Sequence, residues 1–269
     1  NVNNKPATVN AEIKMSDGIA PYAGIGNYHR RGIEESELVD YNTENLKMST
    51  SVHYRSKGGV EGIYALNYGT GTTVYQGDNR FSLRGIQFLQ NRLELRKDED
   101  WFVRAYTTHE DAGKTYDAYF TALRMQDSVL NDGFWANQYR SFWSFLQKPV
   151  VRGLPGYPSE ALPSGDFNAA IAALWAANPG IFDSLHRSNR NIMDMAYDAD
   201  SMLIPGSAAF EALKQSIITR PFTEGGSQFW DRSSLAHLHG QRSFDFGGGR
   251  LTGGASLRQY RPNSRGTLF

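Results

Sequence analysis

Cysteine is missing from all 269 residues, which excludes disulfides, thiolate metal sites and cysteine nucleophiles. Its absence fits an oxidising envelope compartment without requiring one. Long apolar runs are missing too. The longest, "AAIAALWAA" at residues 169–177, falls far short of the ~20 residues that a spanning helix needs, so helical membrane spans are excluded. There is no excess of either charge, with Lys+Arg 28 against Asp+Glu 28, so neither a global basic field for nucleic acid nor an acidic solvating tail is expected. Asn1 opens the chain with no initiator Met, basic n-region or apolar h-region, and an export signal is expected to have been removed or to lie outside this sequence. Catalytic signatures are equally scarce. There is no G-x-S-x-G and no H-E-x-x-H, the glycines of "NYGTGTTVYQG" do not fit a dinucleotide cradle, and Asp194, Asp198 and Asp200 lack the spacing of a calcium loop. No enzyme activity and no cofactor are expected.

Glycine and aromatics are plentiful, with 27 Gly, 14 Tyr and 15 Phe, although the mean hydropathy is negative. Turns and aromatic girdles of a membrane barrel would use them, as would a β-rich secreted domain. The stretch "LKMSTSVHYR", residues 46–55, sets Leu46, Met48, Thr50, Val52 and Tyr54 on one parity and Lys47, Ser49, Ser51, His53 and Arg55 on the other. Such alternation suits a soluble sheet with one wet face and also a barrel wall between lipid and water. It recurs at Val9, Ala11, Ile13 and Met15, after the "SKGG" turn at Val60, Tyr64, Leu66 and Tyr68, at Leu93 and Leu95, and after "KDED" at Trp101, Val103 and Ala105. The stretch "GTTVYQGDNRFS" between the two hairpins reads as a longer loop.

From about Tyr116 the period changes to that of a helix, with Phe120, Leu123, Phe134, Tyr139, Phe142, Trp143 and Leu146, broken near Gly133. Helix caps are expected at Ser164 or Asp166 and near Ser207, and Pro179-Gly180 is expected to interrupt the Ala-rich helix. The organisation read from the sequence is thus 1–112 strands and loops, 113–247 an insertion with helices, and 248–269 a returning strand. If residues 118–126 are helix, the short turns all fall at one end of the strands and the long connections at the other. That is how outer-membrane barrels are built. Strands of this length also suffice to cross such a membrane, which takes ~9–11 residues.

The blocks "DYNTENLKMSTSVHYR", "NYGTGTTVYQGDNRFSLRGIQ", "FVRAYTTHEDAGKTYDA", "IPGSAAFEALK" and "LRQYRPNSRGTLF" resemble the barrel region of TonB-dependent receptors of Bacteroidota, the SusC-like and RagA-like outer-membrane transporters. The resemblance keeps the order of the blocks and covers most of the chain. "TVYQGDNRFSLRG" and "RAYTTHEDAG" are its most specific parts. It implies a mainly β fold, part of a transmembrane antiparallel β-barrel of about 22 strands, with a large, partly helical extracellular loop insertion. It also implies import of an oligosaccharide, peptide or metal chelate across the cell outer membrane, driven by TonB through a plug that this chain does not contain. A SusD-like surface lipoprotein and outer-membrane lipid are the implied partners. The chain is expected to be a segment of a longer polypeptide that does not fold alone.

Candidate sites follow from the alternation and the loops. Lys47, His53, Arg55, Glu61, Glu94, Arg96 and Arg104 are expected to line a lumen, either along a transport path or in charge pairs such as Glu94 with Arg104. In the loops, Tyr75, Asp78, Asn79, Arg80, Glu110, Asp111, Tyr116 and Asp117 combine aromatic faces with carboxylates and amides that suit a sugar or peptide, or serve the turns themselves. "FWANQYRSFWSF", residues 134–145, is either a partner surface or the packing of the insertion. His237 and His239 share a strand face but have no third ligand at a diagnostic spacing, so no metal site is expected.

Three functions remain open from sequence: uptake through the barrel, a barrel scaffold whose insertion binds partner proteins without transport, and a soluble sandwich that binds or cleaves glycans. They differ in what covers the apolar parity of the strands.

Overall fold

A computed structural model describes residues 22–265, except 78, 99 and 198–201. The alternation expected at Val9 to Met15 lies outside the described residues. The strands are β1 (Glu44–Arg55), β2 (Val60–Gln76), β3 (Arg80–Lys97), β4 (Trp101–Asp111), β5 (Tyr116–Asp117), β6 (Ser234–Phe246) and β7 (Gly249–Arg261). The helices are α1 (Glu35–Leu38), α2 (Ala118–Val129), α3 (Asp132–Phe142), α4 (Lys148–Arg152), α5 (Ser164–Ala177), α6 (Pro179–Tyr197) and α7 (Ala208–Ile218). Among the described residues, no helix is long and apolar enough to cross a membrane.

The strands form one antiparallel sheet in the order β1-β2-β3-β4-β6-β7, with β5 added to β3. It does not close: among the described residues β1 and β7 each have one ladder neighbour. Short turns join β1 to β2, β3 to β4 and β6 to β7 at one end of the strands. Gly59 (φ +81) and Gly248 (φ +105) take the left-handed conformation that two of these turns require. The whole helical excursion between β4 and β6 leaves from the opposite end. α2 is helix, as the parity of the connections demands.

Two sequence expectations are corrected. The long loop expected over residues 71–82 is instead largely strand: β2 runs to Gln76 and β3 starts at Arg80, so the two pair beyond the start of β1, which lies opposite Thr72. Thr72, Thr73, Val74 and Tyr75 are strand formers, and a bulge between Gly71 and Thr73 absorbs the change of register. The insertion expected to run to residue 247 also gives way earlier, to β6. Ala236 and Gly240 occupy the apolar parity of that strand, so its alternation is faint in sequence.

By its contacts the chain divides into two compact units, Asn1–Leu38 with Ala122–Gln215, and Val39–Thr121 with Ser216–Phe269. The first is helical. Its core joins Tyr28, Trp135, Tyr139 and Trp143 with Phe167, Ile171, Leu174, Phe182 and Met193. Tyr28 and Tyr139 stack at 4.5 Å between centroids, and Trp143 Nε1 donates to the Ala23 carbonyl at 3.0 Å. So the aromatic run at 134–145 is largely core packing, whereas Phe145, within the π-helical turn Trp143–Gln147, stays 78% exposed. The cap expected near Ser207 forms, Ser207 Oγ accepting from Phe210 N at the start of α7, whereas the cap expected at Ser164 or Asp166 does not: Ser164 is already the first residue of α5, behind Pro163 with no side-chain cap. Asn131 Oδ1, not expected, accepts from Phe134 N to cap α3. Asn178 separates α5 from α6 just ahead of Pro179.

The second unit holds the sheet, and its two faces are chemically opposite. Register puts Leu46, Met48, Val52 and Tyr54 of β1 on the same side as Tyr64 of β2, Leu93 and Leu95 of β3, Val103 of β4, Leu238 and Phe244 of β6, and Leu251 and Leu257 of β7. All of these are exposed, Val52 to 65% and Leu257 to 70%. No second sheet covers them among the described residues, so the sandwich arrangement is not what these residues form. A large apolar side chain left in water forgoes about 1.5–3 kcal/mol. The unfolded chain exposes the same side chains, so this is burial energy left unclaimed rather than a cost of folding. An apolar face of this extent is the mark of a surface that meets another apolar surface.

Candidate functional site

The other face carries the polar parity, arranged in rows that run across the strands. One row is Ser49, Asn67, Gln90 and Thr108, running on to Leu235 and Tyr260; the next is Ser51, Ala65, Arg92, Tyr106, His237 and Arg258; the third is His53, Ile63, Glu94, Arg104, His239 and Ser256. Paired residues of antiparallel strands point to the same side, so each row is a line of neighbouring side chains.

Charges on this face are paired across strands. Glu94 is 3% exposed and accepts from Arg104 Nε at 2.8 Å, as the sequence suggested for this pair. Glu61 accepts from Arg96 Nε at 2.9 Å and meets His53 Nδ1 at 3.1 Å, and Arg55 pairs with Asp98 at 3.3 Å. Pairing on the supposedly wet side explains how a carboxylate as buried as Glu94 is tolerated.

Between these pairs the face is hollow. A depression of about 430 Å³ opens over β1 to β4, because Ala65 is small where its row neighbours Ser51 and Arg92 leave room. A relay of hydrogen bonds lines one side: Ser49 Oγ donates to Asn67 Oδ1 at 2.6 Å, and Asn67 Nδ2 donates to Gln90 Oε1 at 3.2 Å. Arg92 and Arg104 line the other, with Tyr106 beside them. Two nitrogens of the Arg92 row lack hydrogen-bond partners among the described residues. Arg92 Nε is one, and sits 3.9 Å from Glu94 Oε2. His237 Nε2 accepts a long bond of 3.5 Å from Arg258 Nε, which puts the proton of a neutral ring on Nδ1, also without a partner.

The structure brings together His53, Glu94 and Arg104 of the residues expected in a lumen, and adds Glu61 and Arg96 through the first two pairs. Lys47 and Arg55 share the face but lie nearer its two ends. The loop candidates are dispersed. Tyr75, Asn79 and Arg80 belong to the β2–β3 hairpin, where Arg80 Nη1 donates to Gln76 Oε1 at 3.0 Å. Asp78 lies outside the described residues. Glu110 and Asp111 end β4, and Asp111 is held by Arg232 at 3.1 Å and by Gly113 N at 2.8 Å. Tyr116 was expected to be offered to solute; instead it is 3% exposed in β5, paired with Ser82 of β3. Asp117 is buried likewise and caps α2 through Phe120 N at 2.9 Å, and burial pushes its carboxyl pKa up.

Ser49, Ser51, Asn67, Gln90, Arg92 and Tyr106 were missed as site residues. The parity of Gln90, Arg92, Glu94 and Arg96 was the available signal, and it needed β3 to begin before Leu93 to be seen. His237 and His239 stack at 5.9 Å, and the described residues contain no group of three His, Cys, Asp or Glu able to hold a metal.

The helical unit has a separate hollow of about 310 Å³ beside Ile33, Leu130, Trp135 and Met193. Arg30 at its wall is already committed to the Leu130 and Gln126 carbonyls and to Asp132.

No protein-family model matches the chain, nor does any curated protein, and no solved structure matches its fold. The functional reading therefore rests on the geometry of the sheet and on the resemblance of its sequence blocks.

Proposed function

We propose that the sheet is a stretch of the wall of a transmembrane β-barrel in a bacterial outer membrane, with its apolar face toward lipid and its polar face toward a water-filled lumen. One observation carries this reading. An exposed, mainly apolar face runs from β1 to β7, continuous along the row Val52, Tyr64, Leu93, Ala105, Leu238 and Leu257 and broken in the next by Asn91, Thr107 and Gln259, back to back with a face of paired charges around a hollow. Lipid is the cover that such a face fits, because alternate side chains of a barrel strand meet hydrocarbon and lumen in turn. Elaboration at one end of the strands and short turns at the other agree with an extracellular insertion and periplasmic turns.

Together with the resemblance to SusC-like receptors, this supports solute import as the function: capture at the extracellular side, with a SusD-like lipoprotein as lid, and entry on a pull from TonB through a plug. The direct test is uptake. Cells that carry the receptor are compared with cells that lack it for removal of oligosaccharides and peptides from the medium, before and after a protonophore. Receptor-dependent uptake that the protonophore stops is expected; retention of uptake after the proton-motive force collapses would refute energised import. A scaffold reading is favoured by the outward Phe145, Leu146 and Val150 of the helical unit, which suit a protein partner. Partner capture through these side chains, with no receptor-dependent uptake, would select it.

A further inference from the structure

Cations outnumber the carboxylates that answer them in the middle of the polar face. Among the described residues, Arg96 is matched by Glu61 and Arg55 by Asp98, whereas Arg92 and Arg104 share the carboxylate of Glu94, and Arg258 meets the ring of His237. Arg92 lines the hollow with a side chain 41% exposed, and its contact with Glu94 is long, 3.9 Å from Nε to Oε2. A guanidinium so loosely matched gains most from a carboxylate that arrives in the hollow. Opposite the arginines stand neutral groups that donate and accept, the hydroxyls of Ser49 and Ser51 and the amides of Asn67 and Gln90. The aromatic side of Tyr106, held edge-on to His237 at 4.8 Å, closes one end.

We infer that the hollow is a subsite for a carboxylate-bearing, hydroxyl-rich solute, an acidic sugar unit whose carboxylate seats over Arg92 and Arg104 and whose hydroxyls meet the Ser49, Asn67 and Gln90 relay. A guanidinium pair recognises a planar carboxylate by charge-assisted, directional bonds that a neutral hydroxyl cannot match. The flanking hydroxyls and amides complement a ring that carries donors and acceptors around its edge. Tyr106 offers the ring an apolar surface. The small methyl side chain of Ala65 is what makes room. The inference rests on the lumenal reading of this face and names the solute class that it admits.

The test is titration of the whole receptor in lipid nanodiscs with digalacturonate and with its neutral counterpart, galactobiose, following heat of binding. Digalacturonate is expected to bind at least tenfold more tightly than galactobiose, and less tightly as salt is raised. R92Q is expected to weaken it at least tenfold, R92K less so, and A65F to abolish binding by filling the hollow while leaving every charge in place. Equal affinity for the two sugars overturns the inference, as does an A65F or folded R92Q receptor that binds digalacturonate like the parent. If R92Q fails to fold, the comparison of the two sugars on the parent and on A65F decides. A fluorophore at L238C in the same nanodiscs separates this from the lumenal reading. Quenching by brominated lipid without digalacturonate binding rejects the subsite alone, and loss of quenching rejects the wall and the subsite together.

Discussion

Glu94 and Arg104 stand directly opposite one another on β3 and β4, with Glu94 Oε2 accepting from Arg104 Nε at 2.8 Å on the polar face of the sheet. The carboxylate is almost wholly enclosed and the guanidinium is its closest partner, so removal of either leaves a buried group unmet. R104Q is expected to destabilise the folded protein by about 1.5–3 kcal/mol, the range for hydrogen bonds to charged groups. The double variant E94Q/R104Q is expected to cost less than the sum of the two single changes. Denaturant titration of the four proteins in detergent gives the coupling directly, and additivity would show that the pair does not act as one.

Leu238 and Leu257 face each other across β6 and β7 on the exposed apolar side. Arginine at either position is expected to cost about 2–4 kcal/mol of stability in a bilayer, as for a lipid-facing midplane site. The same substitution in a sheet whose apolar face meets water would be neutral or stabilising. Folding yield into lipid vesicles, read by heat-modifiable gel mobility, distinguishes the two outcomes.

Much of this sheet was legible beforehand. Alternation at Leu46 to Tyr54 and at Val60 to Tyr68 gave β1 and β2, because side chains of a strand obey a strict period of two when its faces meet different media. The same rule concealed β6, where Ala236 and Gly240 stand in the apolar parity. It also hid the start of β3, where Gly85 at φ +61 interrupts the pleat. The helix start at Ser207 was readable from local capping chemistry, while that of α5 was misplaced, because Pro163 leads straight into the helix without a side-chain cap. The hollow was not, since it depends on which residues of four strands come opposite one another, and register between strands is not a property of any one segment. Tyr116 misled for a related reason: a two-residue strand paired to a distant part of β3 buries a side chain that its loop-like surroundings suggested was open.

His186 tests the helical unit separately. Its Nδ1 meets the Tyr139 hydroxyl at 2.8 Å inside the aromatic core, and burial pushes its pKa down to about 4, with Arg190 adding to the effect. The unfolded chain therefore binds more protons than the folded one between about pH 4 and an unfolded value near 6.5. Stability from this group is complete above that upper limit and is lost as pH falls toward the lower one, by up to roughly 3 kcal/mol. Thermal melts of the full-length protein in detergent, followed by near-ultraviolet circular dichroism, are expected to show that loss, and H186Q is expected to flatten it. An unchanged pH profile in H186Q would mean that another group sets it.

Gly113 controls the departure of the insertion from β4. It has φ +63, and a Cβ there would collide with the carbonyls of Arg84 and Gly85. G113A is expected to destabilise the β4 to β5 connection by at least about 1 kcal/mol, since both the conformation and the space exclude a side chain. Faster proteolysis after Asp111 in G113A, with strand content unchanged, would be the sign. Equal protease resistance would contradict it.

The most direct measurement of the two-faced wall uses the chain's lack of cysteine. Single cysteines at residues 46 to 54 of β1, and at 238 and 257, are labelled in outer membranes with a charged maleimide and then with an environment-sensitive probe. The account predicts strict alternation: positions 46, 48, 52, 54, 238 and 257 closed to the charged reagent and quenched by lipid-borne bromine, with 47, 49, 51 and 53 open to it and unquenched. Uniform labelling of both parities from water, or lipid quenching at neither, would contradict it.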